Sequence, residues 1–128
     1  MAMLLHDQLG NSGWEIFGSD INNTVLSVAR NALYPIKLAE EIPPDYLKKY
    51  CLKGVGQQEG MFKIDPLLIN KIRFDNINLN ENLPDMGIFD VIFLCNVLIY
   101  SQPDTKRAVV ARLLSKLKRS GQLHLNFI

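Results

Sequence analysis

Apolar positions along this chain change period several times, and each change marks an element. Residues 2–9 (AMLLHDQL) place apolar side chains first and polar ones after, and Gly10-Asn11-Ser12-Gly13 stops the run; this predicts the last turns of a helix. Trp14 to Ser19 (WEIFGS) predicts a strand that ends at Asp20. Asn22-Asn23-Thr24 offers N-cap chemistry to a helix from about Val25 to Leu33, which Tyr34-Pro35 ends. Pro44 fits the first turn of a short helix through about Tyr50. Cys51-Leu52 and Met61 to Ile64 flank the glycine-rich stretch KGVGQQEG and predict an antiparallel hairpin. Asp65-Pro66 breaks the hairpin, and Ile72-Arg73-Phe74 resumes a strand.

Phe89 to Cys95 (FDVIFLC) is a continuous apolar run with β-branched and aromatic residues, which predicts a central parallel strand buried on both faces. Pro103-Asp104 opens a helix from about Thr105 to Leu117, capped by Ser120-Gly121. Leu123, Leu125 and Phe127 then alternate as a final strand. The order of strand, acidic residue, helix, insertion, buried strand, helix and strand predicts an α/β, Rossmann-like sheet. Residues 1–128 form one domain in this reading, with a small antiparallel β insertion at about 51–74.

Composition narrows the function classes. Hydrophobic residues make up 48% and charged residues 21% of 128, which is globular rather than disordered. A formal charge of +1 argues against a nucleic-acid binder. No stretch approaches the ~20 apolar residues of a membrane span, and the opening MAMLLHDQLG lacks the basic region and cleavage site of a signal peptide. Cys51 and Cys95 are too few for a disulfide framework and suit a reducing, cytoplasmic setting. The first 104 residues carry 13 acidic and 8 basic side chains, whereas the last 24 carry six bases and no acid. Those bases read as an interaction patch or as the solvated face of one helix, opposite Val109, Val110, Leu113, Leu114 and Leu117.

Ligands of open α/β sheets bind outside the carboxyl ends of the strands, and three polar clusters fall there. Asp20 is a carboxylate suited to both hydroxyls of a ribose, or a helix cap beside Asn22 and Asn23. Asn78 offers an amide to the mixed edge of adenine with Leu79 beside it, or is an ordinary turn asparagine. Asn96 and Tyr100 follow the buried strand and face the crevice, or serve helix entry and the core. His6 and His124 lie far apart, no metal-ligand pattern is present, and His124 in an alternating run reads as a strand residue.

Taken together, these segments resemble the S-adenosylmethionine-dependent methyltransferases of bacterial chemotaxis receptors, the CheR type. FGSDINNTVLSVARNALYP is similar to that family's second strand and following helix, and IPPDYLKKYCLKGVGQQEG to the approach to its β-subdomain. FDVIFLCNVLIY resembles its fourth-strand motif, and LLSKLKRSGQL the helix and turn before the fifth strand. The resemblance implies that Asp20 holds the cofactor ribose, Asn78 and Leu79 contact adenine, and Asn96 and Tyr100 line the methyl-transfer end. It implies S-adenosyl-L-methionine as cofactor, S-adenosyl-L-homocysteine as product, and a receptor glutamate as acceptor. Gly54, Gly56 and Gly60 match family members whose β-subdomain docks a receptor's C-terminal peptide. A docking module without catalysis is the alternative expectation.

The departures from the pattern generate expectations of their own. The family's first strand, its glycine-rich loop and an N-terminal helical domain find no match in the chain, and Cys95 stands where the family usually has arginine. An incomplete sheet is therefore expected, with a fragment or degenerate copy inactive by itself. Altered strand order, or a homo-oligomer joined through exposed sheet edges, follows from the same expectation.

Overall fold

The computed structural model describes residues 1–95 and 102–126. The chain divides into two compact units, Met1–Asn76 and Ile77–Ile128. The predicted roles of Asn96 and Tyr100, and the strand position of Phe127, lie outside the described residues.

In the first unit, helix α1 (Ala2–Leu9) ends at Gly10, whose φ of 74° suits a residue without Cβ. Strand β1 (Ile16–Asp20) begins two residues later than predicted. Trp14 stays outside it because its indole Nε1 donates to the Gly10 carbonyl at 2.8 Å, tying the side chain back to the turn. Helix α2 (Asn23–Asn31) is capped as the sequence predicts: the Asn22 side chain accepts from the backbone N–H groups of Thr24 (2.9 Å) and Val25 (3.3 Å). It stops before Leu33 because Ala32 turns left-handed at φ 53°.

Leu33–Pro35 then forms strand β2, where the sequence predicts only a helix end. The reason is nonlocal. Strand β4 (Met61–Ile64) pairs antiparallel with β2 on one side and with strand β3 (Cys51–Lys53) on the other, so the expected hairpin becomes a three-stranded sheet in the order β2-β4-β3. Helix α3 (Pro44–Tyr50) carries Pro44 in its first turn, as expected. Asp65 does more than break the chain: it caps a short helix α4 (Pro66–Ile69), accepting from the Leu67 N–H at 3.0 Å. Strand β5 (Ile72–Asn76) pairs parallel with β1, in register from Ile16↔Ile72 to Asp20↔Asn76.

Polar contacts join α1 to α3. The Tyr46 hydroxyl donates to Asp7 Oδ2 at 3.2 Å, Lys49 Nζ lies 3.4 Å from Asp7 Oδ1, and His6 Nδ1 meets the hydroxyl of buried Tyr50 at 3.0 Å. Partial loss of water around Asp7 raises its pKa, but hydrogen bonds from Lys49 and Tyr46 outweigh this and hold it below its ordinary 3.8. Loss of water and the bond to Asp7 raise the Tyr46 phenol above 10.0, and bonds to Tyr50 and Asp7 raise Lys49 above 10.5. The depressed carboxyl contributes above 3.8 and loses its effect as pH falls through its folded value. The raised phenol and ammonium contribute below their ordinary values and lose their effect above them. The attachment of α1 is therefore expected to be firmest between these limits, with amide exchange in residues 2–9 quickening at either extreme. Exchange independent of pH, after correction for the intrinsic rate, would contradict this.

In the second unit, strand β6 (Phe89–Cys95) has the predicted bounds and pairs parallel with strand β7 (Leu117–Asn126). Its burial differs from the expectation. Leu94 packs with Val109 and Leu113 of helix α5 (Pro103–Leu114), whereas Val91 and Phe93 on the opposite face are 45% and 52% exposed. Helix α5 covers one face of the pair, so the apolar run does not mark burial on both sides here.

Ser120-Gly121 is not a helix cap. Helix α5 ends at Ser115, and Ser120 and Gly121 lie within β7. Partners advance from Phe89 to Val91 on β6 but from Leu117 to Gln122 on β7, an irregularity that absorbs the intervening residues. A Cβ at Gly121 would stand 2.7 Å from the Asp90 carbonyl, so this close approach requires glycine. Much of the basic segment is solvated: Arg107 and Lys118 stay exposed while pairing with Asp104 at 3.6 Å and Asp90 at 3.0 Å, and Arg119 is exposed too, whereas Arg112 turns inward. Leu114, expected on the apolar side, is exposed. Among the described residues, no helix is long and apolar enough to cross a membrane.

Candidate functional site

Asp20 stands at the carboxyl end of β1, where the parallel register sets it opposite Asn76 at the end of β5. It is half-buried, and its Oδ1 accepts the Asn22 N–H at 2.8 Å. The helix cap is Asn22, so Asp20 is not needed as one. No cation pairs with Asp20 among the described residues. One carboxylate oxygen is thus fixed by backbone and the other is left for a ligand, which suits a group presenting neighbouring hydroxyls.

Asn76, which the sequence reading passes over, bridges this turn. Its Nδ2 donates to the Ile21 carbonyl and to Asn23 Oδ1, each at 2.8 Å. The polar run Asp75-Asn76 at a strand end is the local signal available for it, but the bonds that give it a role come from distant positions.

Asn78 and Leu79 belong to the second unit. Asn78 does make a turn bond, its Oδ1 accepting the Asn80 N–H at 3.0 Å, which leaves its amide N–H groups as donors. Leu79 is half-buried against the Leu94, Val109 and Leu113 cluster, so its side chain is anchored in the core. Its carbonyl accepts from Arg112 Nη1 at 2.8 Å. Arg112 also lines a shallow cleft with Asn80, Asp104, Thr105 and Ala108. Nothing in the helix pattern separates Arg112 from its basic neighbours, and only the tertiary bond does so. Arg112→Ala is expected to cost about 1–2 kcal/mol of stability by leaving the Leu79 carbonyl without its charged partner. Thermal unfolding measures this, with Arg112→Lys recovering part of the loss; an unchanged midpoint in Arg112→Ala would contradict it.

Gly54, Gly56 and Gly60 lie in the β3–β4 connection, apart from the Asp20 turn. Gly56 and Gly60 hold φ of 61° and 83°, and a Cβ on Gly54 would run into the Gln58 carbonyl. Strand β3 lies at the edge of its sheet, with Leu52 and nearby Val55 exposed. Cys51 in β3 and Cys95 are free thiols, and burial pushes the Cys51 thiol pKa up.

Residues 1–126 match the model of the CheR methyltransferase, SAM binding domain. The chain is similar to the chemotaxis protein methyltransferase of Salmonella typhimurium, 35% identical over 96% of this chain and 44% of that protein. The chemotaxis protein methyltransferase of Escherichia coli is 34% identical over the same shares. Chemotaxis protein methyltransferase 2 of Pseudomonas aeruginosa is 32% identical over 84% of this chain and 39% of that protein. The chain thus spans less than half the length of these relatives. With parallel strand pairs, an acidic strand end and this match over nearly all its residues, the chain belongs to the CheR methyltransferase SAM-binding domain family, whose cofactor is S-adenosylmethionine.

Proposed function

We propose that this chain is the cofactor-binding part of a methyltransferase that esterifies glutamate side chains of bacterial chemotaxis receptors in the cytoplasm. The family match over residues 1–126 carries this reading, and the chemotaxis methyltransferases among its relatives support the choice of acceptor. Residues 1–128 form part of one methyltransferase domain in this reading, with a β-subdomain insertion at about 51–74.

Asp20, with one oxygen held by the Asn22 N–H, accepts hydrogen bonds from the ribose hydroxyls. Asn78 presents its amide to adenine, with Leu79 beside it and its backbone steadied by Arg112. Asn96 and Tyr100 line the methyl-transfer end. When bound, the cofactor supplies an activated methyl group. A receptor glutamate is already ionised near neutral pH, so the protein needs no strong general base. Its contribution is to orient the acceptor oxygen.

The test, with this chain joined to the further segments that its longer relatives carry, is transfer of isotope-labelled methyl from S-adenosylmethionine to a receptor's cytoplasmic domain. The expected product is alkali-labile, the signature of a carboxyl methyl ester. Alkali-stable label would overturn the glutamate assignment. A second reading, a docking module for a receptor's C-terminal peptide, is favoured by edge strand β3 and the backbone demands at Gly54, Gly56 and Gly60. It requires peptide binding by a chain that does not bind S-adenosylhomocysteine.

A further inference from the structure

We infer that Asn76 is a positioning residue for the Asp20 carboxylate, an inference that rests on the ribose reading of Asp20. The parallel register places the two residues side by side at the ends of β1 and β5. Asn76 uses its amide nitrogen twice, donating to the Ile21 carbonyl and to Asn23 Oδ1 at 2.8 Å each. Those acceptors flank Asn22 in sequence. Asn22 has two tasks: its N–H donates to Asp20 Oδ1 at 2.8 Å, and its side chain caps α2. Asn76 therefore holds both neighbours of the residue that orients the carboxylate.

The residue type matters. The Ile21 carbonyl only accepts, so the Asn76 amide must turn its nitrogen towards it. Aspartate has no donor for either partner when ionised, and serine has a single one. Glutamine adds a methylene and would have to fold back to reach the same two acceptors. Fixing the turn before a ligand arrives spares the ordering cost on binding. Asn76 thereby acts through Asp20, with the second carboxylate oxygen left for the ribose.

The test compares adenosine with 2′,3′-dideoxyadenosine, which lacks the neighbouring 2′ and 3′ hydroxyls, by chemical-shift titration of the full chain and of Asn76→Ala. Only adenosine presents the 2′,3′ hydroxyl pair to Asp20, so the preference for adenosine is expected to fall about five- to tenfold in Asn76→Ala. The Asn22 amide is expected to exchange faster in the free variant, while the amide of buried Ala32, bonded to the Val28 carbonyl at the far end of α2, is unchanged. Asn23→Ala removes one acceptor and is expected to lower the preference less; it serves as the measure if Asn76→Ala does not fold. Equal weakening of both ligands, or an unaltered preference, would overturn the positioning role. Absence of any preference in the unsubstituted chain would instead overturn the ribose reading, and the positioning role with it.

Discussion

Asp20→Ala is expected to weaken S-adenosylhomocysteine binding by about two orders of magnitude, the effect of losing two hydrogen bonds to an ionised acceptor. The substitution also removes the acceptor of the Asn22 N–H. That bond is exposed, and its loss is expected to lower stability by no more than about 1 kcal/mol. Asp20→Asn separates the two effects, since its side-chain carbonyl still accepts from Asn22 while the charge is gone. An intermediate loss of about tenfold is expected for it, because a neutral amide is a weaker acceptor than a carboxylate. Calorimetric titration of the three proteins, with thermal unfolding alongside, measures both quantities. Undiminished affinity in Asp20→Ala would remove the carboxylate from the site.

Phe62→Ala is expected to have the largest effect on folding. Phe62 is 3% exposed in β4, the middle strand of the antiparallel sheet, and its ring lies 5.9 Å from that of Tyr34 on β2. Removing a buried phenylalanine ring costs about 3–5 kcal/mol, from lost burial and from the cavity it leaves. That is a large share of the ~5–15 kcal/mol that stabilises a typical domain. The loss should appear as a lowered thermal midpoint, with faster amide exchange in β2, β3 and β4. Lys63→Ala in the same strand is the control, since Lys63 is exposed and its truncation empties no core. A Phe62→Ala midpoint within the range of that control would contradict the assigned core.

What the sequence makes legible follows the range of the interactions involved. Pro44, the Asn22 cap and the FDVIFLC run are local signals, and the elements they predict stand close to where they are expected. The conflicts arise where a distant partner decides. Leu33–Pro35 is a strand only because Met61–Ile64 offers it an edge. Gly121 looks like a helix stop until the Asp90 carbonyl is found against it, and Arg112 looks like a surface cation until the Leu79 carbonyl appears. The candidate site divides in the same way. Asp20, Asn78 and Leu79 are visible as polar or covering residues after strands, whereas Asn76 acquires its role from bonds to Ile21 and Asn23, more than fifty positions earlier.

The most direct test of the account is titration of the unsubstituted chain with S-adenosylhomocysteine, followed by calorimetry and by amide chemical shifts. Saturable binding that S-adenosylmethionine displaces is expected, with shifts at Asp20, Asn22, Asn78 and Leu79. A folded chain that shows neither heat nor shifts would contradict cofactor binding by these residues.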